Sequence, residues 1–320
     1  MLGGAAGLVG LTACQPARLI RRDPSRRLVL RINLFGNTPY APLLQMRERR
    51  LLEEAIPGMW VEWKVIPAVE SVNEALRDGG IDIATGPPTA LLQAREVGLA
   101  ARVIGSISAV PCAVIGRPGL RSLGSIKRAD RIVVPEEASL EASILQLAAL
   151  RELGDARALD ANLTYRSHAE ALPALKQGKE FAAHVAVTPY LELELDGAGP
   201  ERLVDSRELF GGLPTTALAY ALPTLRDRAA PLIEAFTEAL AEGARLAADD
   251  PVGTARLLSE TEELRIAPER LGALLERSGW QLGARSLGVT RLAELWQRTG
   301  RLRQSPTTWP ELAFDGVAGG

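Results

Sequence analysis

The chain is poor in the residue types that most often carry out chemistry. Its 320 residues include two cysteines and two histidines, and aromatic side chains make up 4%. The histidines, His168 and His184, have no Cys or acid at ligand spacing, so no metal site is expected. Neither has a Ser or Cys nucleophile with an acid partner in a recognisable motif. There is no phosphate loop, glycine-rich dinucleotide fingerprint or carboxylate-rich metal loop. No catalytic residue and no cofactor are therefore expected. His168 reads as solvent-facing, at the start of a helix, and His184 as a hydrogen-bonded residue of an apolar strand. An excess of either charge is also missing: 37 basic residues face 39 acidic ones, a net −2, which offers nothing to nucleic acid or an anionic bilayer. The basic cluster Arg47, Arg49, Arg50 is interleaved with Glu48, Glu53 and Glu54 and reads as a solvated helix face.

No run is long enough to span a bilayer, which takes roughly 20 apolar residues. The uncharged start, Met1 to Ala13, suits the apolar core of a signal peptide. It closes on Leu11-Thr12-Ala13-Cys14, which resembles a bacterial lipobox, where the Cys is lipidated and becomes the new N-terminus. A diacylated Cys14 would anchor the protein to a membrane surface outside the cytoplasm. Residues 14–27 then read as a tether. With Cys14 lipidated, no disulfide is available to Cys112, which sits in the apolar run Ala109–Ile115 and reads as a buried small hydrophobe.

What the chain does have is a repeated unit. Ser71-Val72-Asn73-Glu74-Ala75-Leu76 returns as Ser167-His168-Ala169-Glu170-Ala171-Leu172. Each copy reads as a capping box, with Ser capping a helix and Glu reaching back to the cap amide. Each helix meets a glycine stop, at Gly79-Gly80 and Gly178, then a strand, Ile81–Ala84 and Phe181–Val187. Each strand ends in Thr and Pro before a new helix: Thr85-Gly86-Pro87 and Thr188-Pro189-Tyr190. One supersecondary unit used twice predicts two similar α/β lobes. Two facing lobes make a cleft.

The strands Leu28–Leu34, Trp60–Val65, Ile81–Ala84 and Ala101–Gly105 alternate with helices, which predicts a parallel sheet with right-handed crossovers. A second series follows at Arg131–Val134, Leu163–Tyr165, Phe181–Val187 and Arg202–Asp205, with a helix over Leu140–Leu150. Lobe 1 is expected to hold 28–110 and 217–320, and lobe 2 to hold 111–216, with crossings near 109–117 and 211–216. The region after Leu222 reads as helical, from Leu232, Phe236 and Leu240 onward.

Four turns sit where a strand ends and a helix begins: Asn37-Thr38-Pro39, Thr85-Gly86-Pro87, Pro135–Ser139 and Thr188-Pro189. In α/β sheets ligands bind outside these carboxyl ends, where free helix N–H groups attract anions. Candidate ligand contacts are Asn37, Thr38, Tyr40, Thr85, Gly86, Pro87, Ser139, Thr188 and Tyr190, with Gly212 and Thr215 from the second crossing. Tyr40, Tyr190 and Phe35 are the ring candidates. No Arg or Lys lies at the turns, so an anion would be held by backbone amides, hydroxyls and helix ends.

Residues Gly80–Leu91, a Gly-x-Ile-Asp strand running into a Gly-Pro turn and helix, resemble the characteristic segment of the nitrate/sulfonate/taurine group of ABC-transporter substrate-binding proteins. The opening strand with Phe35–Pro39, the Leu123–Lys127 and Ile132–Pro135 passage, and the ending Gly300–Leu312 are similar to that group too, so the likeness covers about 28–315. The resemblance implies the type II periplasmic-binding fold and capture of a small, anionic organic solute by a monomer. It implies delivery to ABC permease subunits served by a cytoplasmic ATPase. Two alternatives stay open: a lobe pair that reports ligand to a membrane receptor, and an enzyme on the same scaffold, of the pyrimidine-synthase or desulfinase type. The desulfinases use a Cys early in the first lobe, and no Cys or His lies between Gln15 and Val110.

Overall fold

The computed structural model describes residues 28–320 apart from 67, 179, 198, 261–265, 284, 305 and 307. Cys14 and the stretches expected to be a signal segment and a tether lie outside the described residues. The first part of the chain runs β1 (Leu28–Asn33), α1 (Ala41–Glu48), α2 (Leu51–Ala55), β2 (Met59–Lys64), α3 (Val69–Arg77), β3 (Ala84–Gly86), α4 (Pro88–Glu96) and β4 (Arg102–Ala109). The second runs β5 (Cys112–Gly116), β6 (Ile132–Val134), α5 (Leu140–Leu153), β7 (Leu163–Tyr165), α6 (His168–Gln177), β8 (Ala183–Val187), α7 (Tyr190–Leu195), β9 (Glu201–Asp205) and α8 (Ser206–Phe210). The third returns through β10 (Ala217–Ala221), α9 (Pro223–Asp249), α10 (Pro251–Ser259), α11 (Pro268–Ser278), β11 (Gln281–Leu282), α12 (Val289–Arg298) and α13 (Trp309–Leu312).

Two sheet systems result, with like strand orders. In one, β1 pairs with β2 in parallel, a parallel bridge joins Ile32 to Ile83, and the order continues β3-β10-β4-β11. In the other the order is β7-β6-β8-β5-β9. Each carries one strand, β10 or β5, that is antiparallel to the strands on both sides, and β10 returns to its sheet from the third part of the chain. The expected all-parallel first sheet is corrected here, since β10 separates β3 from β4. The reason is compositional. Ala217-Leu218-Ala219-Tyr220-Ala221 is apolar at every position and wholly buried, which suits a central strand covered on both faces.

The repeated hexad folds in only one of its copies as expected. Ser167 accepts from the Glu170 amide while the Glu170 carboxylate accepts from the Ser167 amide, a complete capping box, and Gly178 closes α6 at φ 67°. The first box is absent. α3 begins at Val69 with Ala68 as N-cap and no side-chain cap, which places Ser71 inside the first turn. Val69 packs against the core below Val72 and Leu76, so the apolar face extends upstream of Ser71. Burying an aliphatic side chain stabilises by about 1.5–3 kcal/mol at full burial, enough to offset a cap worth about 1 kcal/mol. Asn73 acts as a bridge between elements. Its amide donates to the Ala90 carbonyl at 3.0 Å and its oxygen accepts from the Tyr220 hydroxyl at 2.9 Å, joining α3, α4 and β10.

The helix expected after Pro39 is broken into α1 and α2 by Arg50, whose φ of 53° is left-handed. At the back, α12 contacts both α4 and α5, and the Trp296 indole donates to Ser143 Oγ at 2.9 Å. α12 thus touches a helix of the first part of the chain and a helix of the second.

Candidate functional site

A cavity of about 310 Å³ opens between the two sheet systems. Phe35, Asn37, Pro39, Tyr40, Ala68, Val69 and Pro87 line one wall, and Cys112, Pro135, Glu136, Ser139, Leu140, Glu141, His168 and Val187 the other, with Thr216 at the base. Larger hollows lie against α9 and beside Arg303, but each is lined by the first and last parts of the chain only. A further hollow, lined by Glu70, Trp296 and Arg301 among others, shares Glu136 with the central cavity.

The carboxyl ends of the strands deliver this lining, but not all expected contacts reach it. Asn37, Tyr40, Pro87 and Ser139 line the cavity. Thr38 is fully buried inside a short 3-10 turn capped by Asn37. Thr85 is locked to Asn33: its amide donates to Asn33 Oδ1 at 2.5 Å, its hydroxyl to Asn33 O at 3.1 Å, and Asn33 Nδ2 donates to Thr85 O. Gly86 is required by packing, since a Cβ there would stand 2.8 Å from that of Ala90. The Thr188 hydroxyl donates to Glu192 Oε1 at 3.0 Å, and Pro111 O lies 3.4 Å from the same hydroxyl. Gly212 abuts Leu287, and Thr215 exchanges bonds with the Leu287 backbone at 2.9 and 3.1 Å. Those hydroxyls serve the fold. Thr216, one residue on from Thr215, reaches the cavity, but its hydroxyl too is engaged, accepting from the Val110 amide and donating to Ser108 O.

Tyr190 stands behind the lining, stacked on His168 with ring centroids 5.2 Å apart. His168 corrects its expected solvent-facing role: its side chain is only 16% exposed, and Nδ1 lies 2.8 Å from His184 Nε2. His184 is a hydrogen-bonded core residue, as read, with Nδ1 2.5 Å from Glu194 Oε1. His168, Glu136 and Glu141 were the site residues hardest to see. Glu141 and His168 are separated by the whole of α5 and β7 in sequence, and only the topology joins them.

The cavity is electrostatically mixed. Two helix starts on its first wall, at Ala68 and Pro87, have no side-chain cap; the positive end of the α3 dipole is offset in part by Glu70 in its first turn, while α4 opens on Pro88 with no acidic residue in its first turn. Ser139 caps α5 by accepting from the Ala142 amide at 3.0 Å. Glu136 and Glu141 supply carboxylates, and among the described residues no Arg or Lys lines the cavity. Burial, with help from Glu70 and Glu141, pushes the Glu136 carboxyl up. Burial first, then Tyr220 and Glu141, pushes the Tyr40 phenol well up, so Tyr40 remains a neutral donor. Burial does the same to the Cys112 thiol, assisted by Glu141 and Asp205, which leaves it protonated and a poor nucleophile.

Asp82, in the segment carrying the family resemblance, is structural: its carboxylate takes a two-pronged contact from the Arg31 guanidinium at 2.8 and 3.0 Å. Among the described residues, no group of three or more His, Cys, Asp or Glu is placed to hold a metal, and no helix is long and apolar enough to cross a membrane.

No protein-family model and no curated protein sequence matches the chain. Solved structures do. The chain is similar to the periplasmic aliphatic sulphonate binding protein SsuA from Escherichia coli, with a TM-score of 0.73 and 19% identity over 90% of this chain and 98% of that one. It is similar to the alkanesulfonate-binding protein SsuA from Xanthomonas axonopodis pv. citri bound to MOPS, with a TM-score of 0.69 and 22% identity over 88% and 97%. The periplasmic nitrate-binding protein NrtA from Synechocystis PCC 6803 follows at 0.63 and 11%, over 92% and 86%. The chain has the two-lobed α/β fold of periplasmic binding proteins, and its structural neighbours include the sulfonate and nitrate binders that the sequence resembles.

Proposed function

We propose that the protein is the extracytoplasmic solute-binding component of an ABC importer. In this reading it takes up one small organic solute between 28–110 with 217–320 on one side and 111–216 on the other, and passes it to permease subunits driven by a cytoplasmic ATPase. The observation that carries the reading is the cavity lined from both sheet systems, set where strand ends and helix starts converge. The raised Cys112 thiol and the lack of an activated nucleophile among the described residues favour binding over an enzyme on the same scaffold.

The lining also bears on the solute. Uncapped helix starts at Ala68 and Pro87, the Tyr40 hydroxyl and Asn37 suit an oxyanion head such as a sulfonate or carboxylate. Glu136 and Glu141 suit a hydrogen-bond-donating or cationic group at the solute's other end. A bare inorganic anion would meet two carboxylates and no cation, so a dipolar organic solute fits better than nitrate. Calorimetry with a panel of simple sulfonates, aminosulfonates, carboxylates and nitrate tests this. Dipolar members should bind, and binding by nitrate alone would refute the assignment.

In the same reading Cys14 carries the lipid anchor and the chain works as a monomer. Membrane fractionation of the full chain against Cys14→Ala tests the anchor. Equal solubility of the two forms would remove it.

A further inference from the structure

Four titratable side chains form a line from the interior to the cleft. Glu194 on α7 and His184 on β8 are both wholly buried, and their Oε1 and Nδ1 are 2.5 Å apart. His184 Nε2 is 2.8 Å from His168 Nδ1. His168 Nε2 is then 3.5 Å from Glu141 Oε1, beyond ordinary hydrogen-bond length, in the cavity that both residues line. The proposed solute contacts do not use Glu194 or His184.

Hydrogen-bond polarity in such a line is not free. Each ring nitrogen facing another group must donate or accept, and what one nitrogen does fixes the other. Suppose the line holds three protons. With Glu194 as the neutral acid, its O–H donates to His184 Nδ1, His184 Nε2–H donates to His168 Nδ1, and His168 Nε2 carries an N–H at the cleft. If instead Glu194 is ionised and His168 doubly protonated, the inner bonds reverse but His168 Nε2 still carries its N–H. Remove one proton and the whole line turns over. Glu194 accepts from His184 Nδ1–H, His184 Nε2 accepts from His168 Nδ1–H, and His168 Nε2 is left with a bare lone pair. The proton leaves from the cleft end and the negative charge appears on Glu194, so atoms and charge balance.

We infer that Glu194, acting through His184, sets which way His168 faces the solute, so that Nε2–H is a donor in a cleft with no Arg or Lys among its described residues. Glu194 and His184 are positioning residues, and His168 is the contact. Two features favour the three-proton form at neutral pH. Glu194 Oε2 is buried with no partner among the described residues, a costly place for half of an ionised carboxylate. Burial pushes the Glu194 carboxyl up to about 9, with Lys176 opposing the shift. The other groups facing the line are Glu141 at the start of α5, Glu136 in the turn before it, Cys112 on the same wall, Tyr40 across the cavity, Lys176 on α6 and Glu192 on α7.

This inference rests on the cleft being the solute site, yet its test needs no solute, so the two can fail separately. The chain has two histidines, so nitrogen NMR of the full chain labelled with ¹⁵N-histidine reports these rings and no others. At neutral pH His168 Nε2 should show the protonated, pyrrole-like position. It should move to the bare, pyridine-like position as pH rises through the Glu194 transition. Glu194→Gln, which cannot ionise, should abolish that alkaline transition whichever way its amide turns. A bare His168 Nε2 in the wild type at neutral pH overturns the inference, and so does an unchanged transition in Glu194→Gln. If the variant does not fold, the wild-type series decides alone.

Discussion

Thr216 Oγ1 accepts the amide N–H of Val110 at 3.0 Å, and this bond ties the second crossing of the chain to the first. The Thr216 amide donates to Ser108 O at 2.9 Å, and Ser108 Oγ donates to Pro39 O at 2.7 Å, so the seam continues to the wall that carries Asn37 and Tyr40. All of it is buried at the base of the cavity. Thr216→Val keeps the shape and leaves the Val110 amide unsatisfied. Urea unfolding should show a loss of about 1–3 kcal/mol, the cost of a stranded buried donor. Thr216→Ser should recover most of it.

The two copies of the repeated hexad should respond differently to the same substitution. Ser167→Ala removes a working cap and should cost about 0.5–2 kcal/mol in denaturant unfolding. Ser71→Ala replaces a residue inside the first turn of α3 and should cost nothing, or stabilise slightly through alanine's helix preference. Equal losses would mean that α3 starts at Ser71 after all.

This contrast shows what the sequence made legible. Two like lobes, the strand-to-helix turns and the helices Pro88–Glu96 and Leu140–Leu153 follow from apolar period, Pro and Gly placement and caps. Ala217–Leu222 reads as an apolar strand, but the central antiparallel placement of β5 and β10 did not follow, because their partners come from distant parts of the chain. Among the candidate contacts, the sequence could place Thr85, Thr188 and Thr215 at the right turns but not say whether their hydroxyls were spent. Asn33, Glu192 and Leu287 claim them. His168 and Glu141 carry no local signal, since a histidine after a capping Ser looks like any exposed helix start.

Stability should depend on pH from both sides through the buried pair. Burial, then His168, holds His184 well below the usual imidazole range, so the folded state resists protonating it. That contribution is present above about 6.5 and is lost as pH falls below it. Glu194 is the opposite case. Its folded value near 9 against an ordinary 4.5 gives stability that is complete below 4.5 and declines as pH rises toward 9. Glu194→Gln should flatten the alkaline arm of a thermal-unfolding series and leave the acid arm. An unaltered alkaline arm would assign it to other groups.

Closure of the two sides over a solute should pivot on the crossings joined by Val110 and Thr216, with α12 riding across the back. Small-angle scattering of protein carrying its solute, against protein stripped by unfolding and refolding, should show compaction on binding. The same radius in both, with solute bound, would indicate a preformed pocket.

Mass spectrometry of what the purified full-length protein carries, followed by calorimetry with the identified compound, tests the central claim most directly. The expected result is one small organic solute per chain, bearing an oxyanion head and recovered chemically unchanged. Its affinity should fall about tenfold in Glu141→Gln and in Tyr40→Phe, about 1.4 kcal/mol each. A compound converted to product on incubation, or one bound equally well by both variants, would contradict a solute-capturing cleft at this position.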